Sequence, residues 1–177
     1  GGEVMLHGQS VEESLQKAME LAEEGRTFIH PFDDPDIIAG QGTIGLEILS
    51  ELPETDVIVV PIGGGGLISG IATAAKSMRP AVRIIGVEPA FCPSGHDSRQ
   101  QGKRVRAPAK TSIADGISVK QVGEVPFEII EKRVDDIVLV DEEAIASAIL
   151  TLLESKKILA EGAGAVPLAA LMSGAAS

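Results

Sequence analysis

Apolar positions along the chain recur with two periods, and the switches between them lay out the elements. Ser10-Val-Glu-Glu13 is spelled as a capping box and opens a helix with Val11, Leu15, Ala18, Met19, Leu21 and Ala22 on one face and Gly25 as its stop. Short apolar runs at Val4-Met-Leu6 and Thr27-Phe-Ile29 read as strands on either side of it. Beyond the loop His30-Pro-Phe-Asp-Asp-Pro35, the residues Ile37, Ile38, Ile44, Ile48 and Leu49 recur at helical spacing and predict a glycine-interrupted helix to Glu51. Strand Val57 to Ile62, helix Leu67 to Met78 and strand Val82 to Glu88 then form a βαβ unit, which calls for a right-handed crossover and a parallel sheet. The polar stretch Pro93 to Ser112 reads as a mobile surface loop. Pro126 sets up a helix through Asp135, a strand follows from Ile137 to Val140, and Asp141 caps a helix to about Ser155. The Ala-rich end, Ala160 to Ser177, reads as a tightly packed helix. The alternation predicts an α/β fold.

Between the first strand and the helix of that unit stands Gly63-Gly64-Gly65-Gly66, a turn with no Cβ on four successive residues. Backbone can there approach a ligand closely, offer several N–H donors and add the positive end of the following helix dipole, which suits a phosphate. A tight strand-to-helix turn usually needs one glycine, and each further one costs about 0.5 to 1 kcal/mol in regular structure. The turn lacks both the Gly-Lys-Ser/Thr ending of a P-loop and the spaced glycines of a dinucleotide fingerprint. It calls for another class of phosphorylated cofactor.

Composition narrows the partners. With 15 basic and 26 acidic residues among 177, the net charge is -11, which opposes a nucleic-acid partner. The single cysteine, Cys92, allows no internal disulfide, and no run of about 18 apolar residues marks a membrane span. A cytoplasmic protein is expected. Trp and Tyr are absent and Phe numbers four, so recognition must rest on backbone and small polar groups. The abrupt ends of the chain read as those of a fragment.

Three more clusters place small residues beside ionisable or polar ones: Gly40-Gln41-Gly42-Thr43, Ala114-Asp115-Gly116 and Glu161-Gly-Ala-Gly-Ala165. Ligands of parallel sheets gather outside the carboxyl ends of the strands, so these clusters are candidates to converge on the glycine turn. Each has an ordinary reading as well: an Asx turn for Asp115, a charge favoured by a helix dipole for Glu161. His30 reads as a packed histidine, and His7 and His96 have no metal-ligand spacing. Glu88 reads as the point where a strand meets solvent, with a hard-cation role as the alternative. Asp135-Asp136 and Glu142-Glu143 read as solvated carboxylates, and Cys92 is given no role.

Taken in order, Pro31-Phe-Asp-Asp-Pro35 with Ala39-Gly-Gln-Gly-Thr43, Val60-Pro-Ile-Gly-Gly-Gly-Gly-Leu67, Gly86-Val-Glu88, Ile113-Ala-Asp-Gly116, Val134-Asp-Asp-Ile137 and Glu161-Gly-Ala-Gly164 resemble the threonine dehydratase and serine racemase branch of the fold-type II pyridoxal-phosphate enzymes. The likeness spans nearly the whole chain. It implies a three-layer parallel sheet flanked by helices, of the tryptophan synthase β-like kind. Residues 1–40 would close a smaller α/β domain, and 41–177 would belong to the large cofactor domain. It implies pyridoxal 5'-phosphate as cofactor, held by Gly63, Gly64, Gly65, Gly66 and Leu67, with Gly116 near the ring substituents and Glu161 beside the ring. It implies an L-threonine dehydratase giving 2-oxobutanoate and ammonia, with side activity on L-serine, a place in isoleucine biosynthesis and a homo-oligomer, dimer or tetramer. Serine racemase is the neighbouring alternative, and a non-catalytic phosphate-binding or self-associating chain the one from another class.

Two departures bear on that resemblance. The family's cofactor lysine, in a Ser-Phe-Lys or Ser-Tyr-Lys setting, and its Ser-Gly-Gly-Asn stretch are not in this sequence, and none of the eight lysines (Lys17, Lys76, Lys103, Lys110, Lys120, Lys132, Lys156, Lys157) has that setting. This stretch alone is expected to be inactive. The family's cation positions fall here on Glu88, Cys92 and Ser94, so the second carboxylate is missing and no metal is expected, with Glu88 the one weak candidate.

Overall fold

The computed structural model describes residues 2–108, 110 and 112–176. The chain forms two compact units, Gly1–His30 and Pro31–Ser177. The first holds helix α1 (Val11–Glu23). Its start is the spelled capping box in altered form: the Ser10 hydroxyl accepts Glu13 N–H at 3.3 Å, while the Glu13 carboxylate reaches back to Gln9 N–H at 2.8 Å. Gly25, at φ 97°, turns the chain away after the last turn. The strands expected at Val4–Leu6 and Thr27–Ile29 do not form. A strand needs a neighbour for its ladder, and among the described residues all three strands lie in the second unit; Leu6 stays 92% and Ile29 65% exposed.

In the second unit β1 (Val57–Pro61), β2 (Arg83–Pro89) and β3 (Asp136–Val140) make a parallel sheet in the order β1-β2-β3. Pairing runs from Val57 opposite Arg83 to Pro61 opposite Val87, and from Ile85 opposite Asp136 to Pro89 opposite Val140. Both faces of a parallel sheet must be covered, and the period-2 alternation assigns them. Ile58, Val60 and Ile84 pack with Ile68 and Ile71 of α3 (Gly66–Met78) and with Phe127 and Ile130 of α5 (Glu124–Arg133). Val59, Val87, Val138 and Val140 face Ile145 and Ala148 of α6 (Glu142–Thr151) and the small residues Ala165, Val166, Ala169 and Ala170 of α7 (Gly162–Met172). This is the three-layer α/β arrangement expected from the sequence, with the Ala-rich end as a packed helix.

Two segments differ from expectation. The stretch read as a mobile loop contains α4 (Ser94–Gln101), whose Ser94, Gly95 and Ser98 are buried; polar composition conceals a helix that packs through small residues. The second helix, α2 (Pro35–Glu51), starts at the proline, and its N-cap Asp34 accepts Asp36 and Ile37 N–H at 2.8 and 3.2 Å. Asp141 caps α6 as expected, accepting Ala144 N–H at 2.8 Å, and α6 runs on into a π-helical turn over Leu152–Lys156. Among the described residues, no helix is long and apolar enough to cross a membrane.

Candidate functional site

The glycine turn sits at the carboxyl edge of β1, where Ile62 N–H bonds to Val87 O at 2.8 Å and sets the turn level with the end of β2. Gly65 is the N-cap of α3 in the left-handed region (φ 92°), and no side chain caps this helix. Its leading N–H groups have no intrahelical acceptor by geometry. The absence of side chains has steric causes as well. A Cβ on Gly64 would overlap the Phe32 ring, and one on Gly63 would stand 3.0 Å from Ile117 Cα. Gly64 O accepts Gly123 N–H at 3.0 Å.

The loop that carries Phe32 is itself pinned. Asp33 accepts Glu124 and Val125 N–H at 2.8 and 3.0 Å, so it closes the N-terminus of α5 from 91 and 92 residues upstream. The Asp-Asp-Pro spelling signals one helix cap and here provides two. Sequence reasoning took these residues as part of a motif and missed their capping roles.

Gly116 lies in a 3₁₀ turn, Asp115–Ile117. A Cβ there would stand 3.5 Å from Ala163 Cβ and 3.7 Å from Glu161 Oε1, so Gly116 and Glu161 are neighbours, while Ile117 abuts Gly63. Glu161 is an exposed residue preceding α7, and its side chain forms no cap. Leu67 is partly buried against the α3 core. The turn, Gly116 and Glu161 are thus linked through the 3₁₀ turn, with an uncapped helix start and a carboxylate.

The Gly40-Gln41-Gly42-Thr43 cluster does not join them. It lies inside α2, where Gly42 and Gly45 let the helix cross α3 closely: a Cβ on Gly42 would stand 3.1 Å from Gly70 O and one on Gly45 3.0 Å from Ile71 O. The glycines at i and i+3 are a helix-crossing face.

Glu88 does not meet solvent either. It is fully buried, and its carboxylate accepts Gly95 N–H at 2.8 Å and His96 N–H at 2.7 Å, filling the N-terminus of α4. Burial pushes its pKa up from 4.5 to about 7, against the opposing pull of those two N–H donors. Cys92 is buried, and its thiol and the Ser94 hydroxyl both point to Val119 O, at 3.3 and 2.9 Å. Among the described residues no three His, Cys, Asp or Glu side chains converge as metal ligands. Two of the four carboxylates read as solvated are engaged as well: Asp135 pairs with Lys76 at 2.7 Å and accepts Ile84 N–H at 2.7 Å, and Glu142 holds Ser112 and Ile113. Their partners lie 29 to 59 residues upstream, beyond the reach of local pattern.

Known proteins share this fold. The chain is 58% identical over 174 residues to the L-threonine ammonia-lyase of Geobacter sulfurreducens, an alignment covering 98% of this chain and 43% of that protein. The maize serine racemase structure superposes with a TM-score of 0.91 at 38% identity, covering 96% of this chain and 52% of that one. The processed form of threonine deaminase isoform 2 from Solanum lycopersicum gives 0.90 at 41%, with coverages of 95% and 49%. The chain therefore spans about half the length of the relatives it matches. The family described as pyridoxal-phosphate dependent enzyme matches residues 1–177, and the chain belongs to that family.

Proposed function

We propose that this chain is the cofactor-holding part of an L-threonine dehydratase, an ammonia-lyase that forms 2-oxobutanoate and ammonia from L-threonine and also takes L-serine. The observation that carries the reading is the uncapped start of α3 behind four glycines, joined through the Asp115–Ile117 turn to Gly116 and Glu161. The likeness to the Geobacter sulfurreducens ammonia-lyase supports the choice of reaction.

The site fits a phosphorylated pyridine. The backbone N–H groups of Gly63 to Leu67 and the α3 dipole would hold the phosphate, and no side chain of the turn competes for them. Gly116 would leave room beside the ring, and Glu161 would set the charge at its edge. When bound, pyridoxal phosphate supplies an electron sink for charge developing at the substrate Cα. The chain's own part is to anchor the cofactor and orient its ring; the sequence holds no lysine in the family setting, so proton abstraction is assigned to residues outside it.

We also propose that residues 41–177 belong to the large domain and 1–40 to the smaller one, in a cytoplasmic homo-oligomer that serves isoleucine biosynthesis. Exposed Leu150, Leu159, Leu171 and Met172 support self-association. Serine racemase is the second reading, favoured by the maize structure. The test uses the protein from which this stretch comes: add pyridoxal phosphate, record the visible band, then supply L-threonine and L-serine and assay keto acid against D-serine. A new band with 2-oxobutanoate as the main product is expected. D-serine exceeding keto acid would transfer the assignment to racemisation, and no band would end the cofactor reading.

A further inference from the structure

Glu142, the first residue of α6, lies against a segment thirty residues upstream. Its Oε1 accepts the Ser112 hydroxyl proton at 2.6 Å and its Oε2 accepts Ile113 N–H at 2.8 Å, while Ser112 Oγ accepts Ala114 N–H at 3.0 Å. The bonds act in series. Because the Ser112 hydroxyl gives its proton to the carboxylate, its lone pairs face the Ala114 amide. Charge-assisted bonds of this kind are the stronger class, and Ser112 and Ala114 are both buried.

What the clamp holds is the strip that joins the two halves of the site. A Cβ on Gly162, at the start of α7, would overlap Ile113 O; Gly116 neighbours Glu161 and Ala163; Ile117 abuts Gly63. Residues 112–117 therefore touch both the glycine turn and the α7 start, and Ala114 is built into the core beneath α6 and α7.

We propose that Glu142 is a positioning residue for the cofactor site: through Ser112 and Ile113 it fixes the 112–117 strip and with it the separation of the glycine turn from Glu161. The inference rests on the reading of Gly63 to Gly66, Gly116 and Glu161 as that site. Glutamine could restore part of the clamp, since its carbonyl can accept Ile113 N–H while its amide donates to Ser112 Oγ. Alanine leaves the Ile113 amide without its partner.

The experiment uses the parent protein with Glu142→Ala, Glu142→Gln, Ser112→Ala and, as control, Glu143→Ala on the exposed neighbour. Two quantities are read: amide hydrogen exchange at Ile113 and Ala114 without cofactor, and the dissociation constant for pyridoxal phosphate by absorbance titration. Glu142→Ala is expected to speed exchange at both amides about tenfold or more, with α5 amides unchanged, and to weaken cofactor binding about tenfold. Ser112→Ala should move both readouts less, Glu142→Gln should recover much of each, and Glu143→Ala should match wild type. Unchanged exchange in Glu142→Ala would show that the clamp does not hold the strip. Faster exchange with cofactor affinity within twofold of wild type would show that the strip does not position the site. Should the alanine variant fail to fold, Glu142→Gln and Ser112→Ala carry the same readouts. Wild-type protein that takes up no cofactor would overturn the functional reading and the positioning role with it, while the exchange arm would still decide whether the clamp exists.

Discussion

β1 and β2 end side by side and each leads within a few residues into a helix, yet the two helix starts are served in opposite ways. At α4 the chain supplies its own acceptor: the Glu88 carboxyl group, fully buried, takes the N–H groups of Gly95 and His96. At α3 no side chain caps the helix, and the four glycines of the turn bring none of their own. A helix N-terminus favours negative charge in either case. The difference teaches that a site can be identified by which of two similar positions the protein leaves open. From sequence the glycine turn reads as a phosphate site and Glu88 as the point where a strand meets solvent, with a hard-cation role as the alternative.

The comparison can be broken most directly at the open start. Gly64→Ala places a methyl group into the Phe32 ring and is expected to lower the unfolding free energy of the parent protein by about 3 kcal/mol or more, read by urea denaturation. A loss below about 1 kcal/mol would mean that Phe32 is not seated on the turn.

The filled start makes a pH prediction. The Glu88 pKa rises from 4.5 to about 7 on folding, so the folded state binds the extra proton between these values. Its contribution is therefore fully present below pH 4.5 and is lost as pH rises towards 7, with a total on the order of 3 kcal/mol. Relative to Glu88→Gln, wild type should lose stability by about that amount as pH rises from 4.5 to 8, read from denaturation midpoints at each pH. Parallel curves would assign the pH dependence to other groups.

The smallest effect gives the baseline for a bare methyl group. Gly40 lies in α2 with nothing within 4 Å of its missing Cβ. Gly40→Ala is expected to stabilise by about 0.5 to 1 kcal/mol, opposite in sign to Gly64→Ala. A loss of stability there would show a neighbour for Gly40 that this chain does not contain.

Local pattern was enough for seven elements: apolar runs for β1, α3, β2 and β3, Pro126 for α5, the Asp141 cap for α6 and Ala-rich composition for α7. It was also enough to single out the glycine turn, since four consecutive glycines match neither helix nor strand. It failed where the partner is distant. Gly40-Gln41-Gly42-Thr43 reads as a candidate ligand cluster until Gly70, 28 residues beyond Gly42, and Ile71, 26 beyond Gly45, show that these glycines admit a second helix. α4 reads as loop because its cap, Glu88, precedes it and its buried residues are Ser and Gly. Val4 and Ile29 had strand-like neighbours in sequence but no ladder to join. Gly116 and Glu161 were singled out from sequence, whereas the Glu142 clamp between their segments was not, because hydrogen bonds across 29 and 30 residues leave no local pattern.

The five residues Pro31 to Pro35 govern three helix starts: Asp34 closes α2, Asp33 closes α5, and Phe32 lies on the turn before α3. Adjacent residues doing separate jobs leave no slack between them. The loop can vary in composition at its margins but not in length, since one inserted residue would put Asp33 and Asp34 out of phase and detach Phe32 from the turn. Insertions in related chains should accordingly collect elsewhere on the surface and spare this loop.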